Sequence, residues 1–405
     1  MVGLNALRST LGAIAWVASR VSSVESRYKI RSRMYGPFSS GPCFWLHGAS
    51  LGECKMLLSL AQILKRDVPE IPRILITTQK TEVLEFLKPA VEELGFETSL
   101  APLDSPAVMR RFMESVQPVM LVLAENELWP GYLSAMRKAF EEPRVALISG
   151  RFFHCVDASD FCAIGFASMQ TGADLARFMA ASEYSFSAKA IVGGDWKLLR
   201  WAKFPEEMRL PRQADVDSAF VSFHREEIKP LCRMLLLALQ KKEAVVLAPR
   251  FEEELPAFRD ALCQKKMPTV EWPEVQKGAV SLVTEYGKLT EIFKVSRAAV
   301  IGGSYSRSLG IHDFWEPLKL GVATYVGPYC RGQQASVEAL LREGAVVRLR
   351  RPLDYASRTV PNPDAVCRFL SHEREKALSS YKAFLGFVRS TVLSVEQKSD
   401  LDGKA

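Results

Sequence analysis

From residue 43 onward the chain alternates short apolar runs with amphipathic stretches. CFWLHG at 43–48 has strand length and ends on glycine, and helical spacing follows over residues 53–65. ILITT at 74–78 predicts a second strand and residues 80–94 a helix. VMLVLA at 119–124 is continuously apolar, the pattern of a parallel strand buried on both faces, and VALIS at 145–149 is another. Strands separated by helices predict βαβ units and a parallel sheet.

Residues 198–215, with Pro205, Pro211 and mixed charges, break this pattern and read as a linker. A second strand series then begins: AFVSF at 219–223, AVVLAP at 244–249, AVSLVT at 279–284, AAVIGG at 298–303 and ATYVG at 323–327. Two Rossmann-like halves joined by one linker are the plan of the α/β GT-B fold. The predicted division is an N-terminal helix with a basic stretch (1–35), a first Rossmann-like domain (36–200), a second (216–372) and a helical tail (373–405). Ligands of open α/β sheets sit beyond the carboxyl ends of the strands, so the active site is expected in a cleft between the halves.

Composition adds little to this. A chain of 405 residues suits two domains, and 48% apolar and 24% charged residues are ordinary for a globular protein. The net charge of +7 fits a nucleic acid, an anionic membrane or an acidic small molecule. No zinc-finger or RNA-binding signature accompanies it, so nucleic acid is not an expected partner. The eight cysteines form no CxxC pair, which argues against a zinc site and for reduced thiols in a cytosolic protein.

The N-terminus is distinctive. Its longest uncharged run, residues 9–19, is too short for a bilayer span, and Arg27, Lys29, Arg31 and Arg33 follow. An amphipathic helix leading into basic residues suits the surface of an anionic membrane; the alternative is a helix packed on the first domain.

Candidate chemistry gathers at the strand ends. In HGASLGE (47–53) a strand runs through a small-residue turn, including Ser50 and Gly52, into a helix. Glu53 in its first turn is placed to take a proton from a hydroxyl, or simply to favour the helix start. AENELWP (124–130) puts Glu125 and Glu127 directly after the buried strand. VGGDWK (192–197) ends on Lys197, a compact charge suited to a phosphate or carboxylate. In the second half, SFHREE (222–227), Pro249-Arg250, Tyr286-Gly287-Lys288 and Gly302-Gly303-Ser304 each follow a strand. The last leads to Gly310-Ile311-His312-Asp313-Phe314-Trp315-Glu316-Pro317. A nucleotide phosphate is expected on a helix N-terminus after the glycines, near Arg250, with Glu316 accepting from ribose hydroxyls.

In this order, these residues resemble the 3-deoxy-D-manno-octulosonic acid (Kdo) transferase family of lipopolysaccharide biosynthesis. The family's H-x-x-S-x-G-E is matched at 47–53, P-x-D at Pro102-Leu103-Asp104, and E-T-E-L-W-P at 125–130 with Asn126 in place of Thr. N-x-R aligns with Ser149-Gly150-Arg151, G-N-x-K with 194–197, and G-x-H-N-x-x-E-P with 310–317. The resemblance runs from about residue 30 to 350 and implies a general base at Glu53 and transition-state stabilisation by Glu125 and Lys197. It implies CMP contacts from Pro249, Arg250, Tyr286, Gly287, Lys288, Asp313, Phe314, Trp315 and Glu316. Ser50, Gly52, Glu127 and Arg151 fall on the acceptor side. The implied reaction moves Kdo from CMP-Kdo to a lipid A precursor (lipid IVA), with inversion, without a metal or other cofactor, at the cytoplasmic face of a bacterial inner membrane.

The departures concern mainly the nucleotide side. The family's Met-Gly-Glu is Tyr286-Gly287-Lys288 here, its His-Asn is His312-Asp313, the His after Pro-Arg is Phe251, and the Asn of G-N-x-K is Asp195. A GT-B transferase with another donor or acceptor, and a non-catalytic lipid-binding paralogue, are the competing expectations.

Overall fold

The computed structural model describes residues 8–15, 18, 24–152, 157–182, 188–203 and 215–402. These fall into two compact units, one within Met1–Lys203 together with Arg374–Ala405, the other within Phe204–Glu373. Each is built on a seven-stranded, wholly parallel sheet, the α/β architecture of two Rossmann-like domains.

The first sheet contains β1 (Cys43–His47), β2 (Arg73–Thr78), β3 (Glu97–Leu100), β4 (Pro118–Ala124), β5 (Val145–Gly150), β6 (Ile164–Met169) and β7 (Lys189–Val192). Their spatial order is β3-β2-β1-β4-β5-β6-β7, so the direction of winding reverses between β1 and β4. Strands β1 and β5 are buried at every position, as runs covered on both faces require. The helix Leu51–Asp67 starts with a capping box between Ser50 and Glu53 and ends with Lys65 and Arg66, charges that suit its dipole. The helix Pro106–Val116 begins on proline, whose missing N–H costs nothing there, and buries Val108, Met109, Phe112 and Val116.

The second sheet contains β8 (Val216–Phe223), β9 (Val245–Pro249), β10 (Thr269–Glu271), β11 (Val280–Leu282), β12 (Ser296–Ile301), β13 (Ala323–Val326) and β14 (Val347–Arg348). The order is β10-β11-β9-β8-β12-β13-β14, with the reversal between β8 and β12. Its core centres on Phe220, Phe223, Leu235, Leu247, Val300 and Tyr355.

Two sequence expectations shift. Of the expected linker, residues 204–214 lie outside the described residues, while Leu199–Lys203 is a helical turn of the first unit. The tail helix starts at Pro363 rather than near residue 373, because Asn362 Oδ1 accepts from Asp364 N at 3.0 Å and proline follows. From Arg374 it belongs to the first unit, where Ser380 Oγ lies 2.6 Å from Ser168 Oγ and Phe384 packs on Phe166 and Trp196. At the N-terminus, residues 8–15 are helical and Arg8 is buried, donating to Asp104 at 2.9 Å; Leu11 and Ile14 are exposed by 49% and 58%. Among the described residues, no helix is long and apolar enough to cross a membrane.

Candidate active site

In the first unit, the reversal between β1 and β4 places HGASLGE and AENELWP at neighbouring strand ends. Gly48 is required there: a Cβ on it would lie 2.9 Å from Glu53 Cβ. Glu53 is buried and turned back over the helix start. Its Oε2 accepts from Ala49 N at 2.7 Å and Ser50 N at 3.2 Å, and Ser50 Oγ accepts from Glu53 N at 3.3 Å. Burial, then the Glu125 and Glu127 carboxylates, push Glu53 up to about 7 against the hydrogen bonds from Ser50 and Ala49. The capping role and a proton affinity suited to a base at neutral pH therefore reside in one side chain.

Glu125 is 2% exposed and carries two cations. Arg151 pairs with Oε2, and Lys197 Nζ lies 2.7 Å from Oε1. The backbone of Glu125 is left-handed (φ 51°), as is that of Ser149 at the end of β5 (φ 52°). Such conformations are costly for non-glycine residues and concentrate at functional sites. Lys197 sits in a short turn, Trp196–Leu198, capped by Asp195, whose Oδ1 accepts from Lys197 N at 3.0 Å and from Ser149 Oγ at 3.2 Å. Trp196 anchors this turn: its Nε1 donates to Ser168 Oγ at 3.0 Å and Ser380 Oγ at 3.2 Å. Gly52 faces the lysine; a Cβ there would meet Lys197 Cε at 3.5 Å.

Glu127 is held through one oxygen. Its Oε2 accepts from Trp129 Nε1 at 2.7 Å and lies 3.4 Å from His47 Nε2. Burial alone would raise Glu127, but the His47 and Trp129 contacts bring it below the usual carboxylate range. Glu53, Glu125, Glu127, Arg151 and Lys197, picked out separately in the sequence, are thus joined by contacts or by mutual charge effects. His47 and Asp195, which the sequence left as motif letters, hold two of them in place.

In the second unit, the reversal between β8 and β12 is organised by Glu227. This fully buried carboxylate accepts from His224 N at 3.1 Å, Gly303 N at 2.8 Å and Tyr305 N at 2.8 Å. After Gly302-Gly303-Ser304 the chain does not enter a helix directly. The next helix, Trp315–Lys319, begins eleven residues after Ser304, and the amides of Gly303 and Tyr305 already donate to Glu227. Gly303 (φ 73°) is needed for close approach, since a Cβ there would lie 2.1 Å from Gly310 O.

Around this knot, His224 Nε2 and His312 Nε2 are 2.7 Å apart, and burial, Arg250 and His224 push His312 down to about 3. Arg250 follows Pro249 at the end of β9, donates to Tyr286 Oη at 3.4 Å and lies over the exposed Phe251 ring. Gly287 is left-handed (φ 86°), and Lys288 pairs with Glu285 at 3.3 Å and Glu291 at 3.7 Å. Asp313 Oδ1 accepts from Trp315 N at 2.8 Å, while Phe314 and Trp315 are buried. Glu316 accepts from Thr290. The cations and rings of the predicted donor set are therefore on the surface of this unit, but the Phe314 and Trp315 side chains belong to its interior. His224, Glu226 and Glu254 each offer a ligand atom within 4.8 Å of the others, the one such group among the described residues.

Residues 23–183 match the family described as 3-deoxy-D-manno-octulosonic-acid transferase (kdotransferase). The chain is 23% identical over 331 residues to the 3-deoxy-D-manno-octulosonic acid transferase of Chlamydia pneumoniae, covering 75% of this chain and 74% of the relative. It is 25% identical over 328 residues to that of Aquifex aeolicus, covering 79% and 86%. Among solved structures, the UDP-GlcNAc 2-epimerase of Neisseria meningitidis superposes with a TM-score of 0.53 at 13% identity, over 87% of this chain and 100% of that one, a likeness of fold alone. The similarity to these Kdo transferases thus extends over 75% and 79% of the chain.

Proposed function

We propose that this chain, a glycosyltransferase related to the Kdo transferases, moves Kdo from CMP-Kdo to a hydroxyl of a lipid A precursor with inversion at the anomeric carbon. The observation that carries this reading is Glu53, a buried carboxylate with its proton affinity raised to about 7, beside a Glu125 that holds Lys197 and Arg151. In the proposed step the acceptor hydroxyl gives its proton to Glu53 as its oxygen bonds to the anomeric carbon. The bond from that carbon to the CMP phosphate oxygen breaks, and CMP leaves with the electron pair. Lys197 is the cation proposed to face the sugar carboxylate, and Arg250 the one proposed for the departing phosphate. The reading requires no metal, and a lipid acceptor accords with a peripheral place at the inner membrane through the N-terminal helix.

The test is transfer from CMP-Kdo, generated in situ, to purified lipid A precursor, by wild type and by Glu53→Gln, each with and without a chelator. Product from wild type in both conditions, and at least ~100-fold less from the variant, supports the reading. A folded wild type that makes no product overturns the donor assignment. Lys288, held by Glu285 and Glu291 where the family carries a carboxylate, favours a second reading in that event: the same chemistry with another nucleotide sugar.

A further inference from the structure

We propose that His47 is a positioning residue that, together with Trp129, holds the Glu127 carboxylate by one oxygen so that the other can grip a hydroxyl of a polyol acceptor. This rests on the assignment of the first unit as the acceptor side.

The argument begins under the site. His47 ends β1 and is fully buried; in register it pairs with Thr77 of β2. Side chains at paired positions share a face of the sheet, and Thr77 Oγ1 lies 2.9 Å from His47 Nδ1. The same hydroxyl accepts from Trp45 Nε1 at 2.8 Å. The Thr77 O–H has two acceptors in reach, His47 Nδ1 at 2.9 Å and Leu46 O at 3.4 Å, and the shorter contact favours donation to the ring. The imidazole proton is then on Nε2, which faces Glu127 Oε2 at 3.4 Å and has the Gln79 side-chain amide at 3.5 Å. Tyr132 packs edge-on against the ring, with centroids 5.3 Å apart. Trp129 Nε1 reaches Glu127 Oε2 from the other side at 2.7 Å.

Both donors converge on Oε2. The Glu127 side chain is 15% exposed, and among the described residues no side chain or amide donates to its Oε1. A carboxylate fixed in this way is a preorganised acceptor for a sugar hydroxyl, and the ordering cost has been met before the ligand arrives. The charged groups that bear on it are Glu53 and, through Glu125, Lys197 and Arg151; His47 and the buried Tyr132 phenol bear on it directly. The three carboxylates repel one another, so without His47 and Trp129 Glu127 would turn away or take a proton.

The test compares His47→Phe, His47→Gln and Trp129→Phe in the full chain, with two readouts. The first is the acceptor KM against kcat. His47→Phe and Trp129→Phe should raise acceptor KM roughly tenfold with a smaller change in kcat, the effect of losing one hydrogen bond to a charged group. His47→Gln places an amide N–H near the lost Nε2 and should recover most of it. The second is titration of the Glu127 carboxyl by NMR in ligand-free protein, which needs no turnover. The midpoint should lie below the usual carboxylate range in wild type and rise in His47→Phe and Trp129→Phe. Unchanged acceptor KM in folded His47→Phe, or a Glu127 midpoint indifferent to both variants, overturns the proposal. If wild type makes no product while the Glu127 midpoint still shifts as expected, the positioning role stands and the transfer reading fails. If His47→Phe does not fold, Trp129→Phe alone decides.

Discussion

Lys197 Nζ lies 2.7 Å from Glu125 Oε1, and the carboxylate it meets is almost wholly buried. Neither charge is settled without the other. Removing the ammonium leaves Glu125 with Arg151 alone, so Lys197→Ala should cost about 1–3 kcal/mol of stability in chemical denaturation. It should also lower transfer by roughly 100-fold, the usual size of a lost electrostatic stabiliser. Stability lost with transfer intact would make the pair purely structural.

The rate should follow the ionisation of Glu53. Its carboxyl is pushed up to about 7, and only the ionised form accepts a proton. The kcat/KM for acceptor should therefore climb with pH through about 7 and level off above it. Glu127→Gln removes one of the neighbouring charges that raise Glu53, and its limb should move to lower pH. A limb at the same pH in wild type and Glu127→Gln would remove Glu53 from the role of base.

The same shift has a consequence for stability, with its sign fixed. Glu53 in the folded chain holds its proton up to about 7, whereas an ordinary glutamate releases it near 4.5. Its contribution is fully present below pH 4.5 and is lost as pH rises through 7, where the buried carboxylate must ionise. Glu53→Gln escapes this penalty. The variant should match wild type at about pH 4 and exceed it at about pH 8.5 by on the order of 2–3 kcal/mol, read from thermal and chemical unfolding. Equal stability at both pH values would mean that Glu53 ionises without cost.

Among the described residues, nine of the fourteen strands were legible as apolar runs; β6, IGFASM, was missed although five of its six positions are buried. The first five, β1, β2, β4, β5 and β8, owe this to burial at nearly every position. Strand β3, ETSL, is half-buried, β7 and β10 are edge strands with exposed positions, and β14 has two residues. None of them carries the continuous or alternating pattern that marks a strand. Glu53, Glu125 and Lys197 were legible because motif position and strand end coincide. The clasp by Glu227 was not, because its carboxylate bonds backbone amides 76 and 78 residues away, and amides leave no trace in side-chain identity. His47 looked like one letter of a motif because its partners, Thr77 and Glu127, lie on or beyond other strands.

Glu227 and Arg250 should separate when mutated. Glu227→Gln sets an NH2 group against amides that now share a carboxylate, in a fully buried place, and should cost about 2–3 kcal/mol. Arg250 is anchored by its backbone and a 3.4 Å contact to Tyr286, so Arg250→Ala should leave the unfolding midpoint nearly unchanged. Donor KM should rise at least ~10-fold in that variant. Wild-type donor KM in Arg250→Ala would place the phosphate elsewhere.

The N-terminal helix divides its residues between two tasks. Arg8 reaches into the first unit to Asp104, and a Cβ on Gly131 would collide with both side chains, so this end is packed tightly. Leu11 and Ile14 remain largely exposed, and Lys29 and Arg31 follow on the helix Val24–Tyr35. Exposed apolar side chains followed in sequence by basic ones suit an anionic lipid surface, whereas a helix serving the core alone would bury them. The double variant Leu11→Asp/Ile14→Asp should therefore keep the wild-type unfolding midpoint and lose co-sedimentation with vesicles containing anionic phospholipid. Arg8→Ala should do the reverse, lowering stability by about 1–3 kcal/mol because Asp104 loses its buried partner. Undiminished vesicle binding by the double variant would assign Leu11 and Ile14 no part in membrane contact.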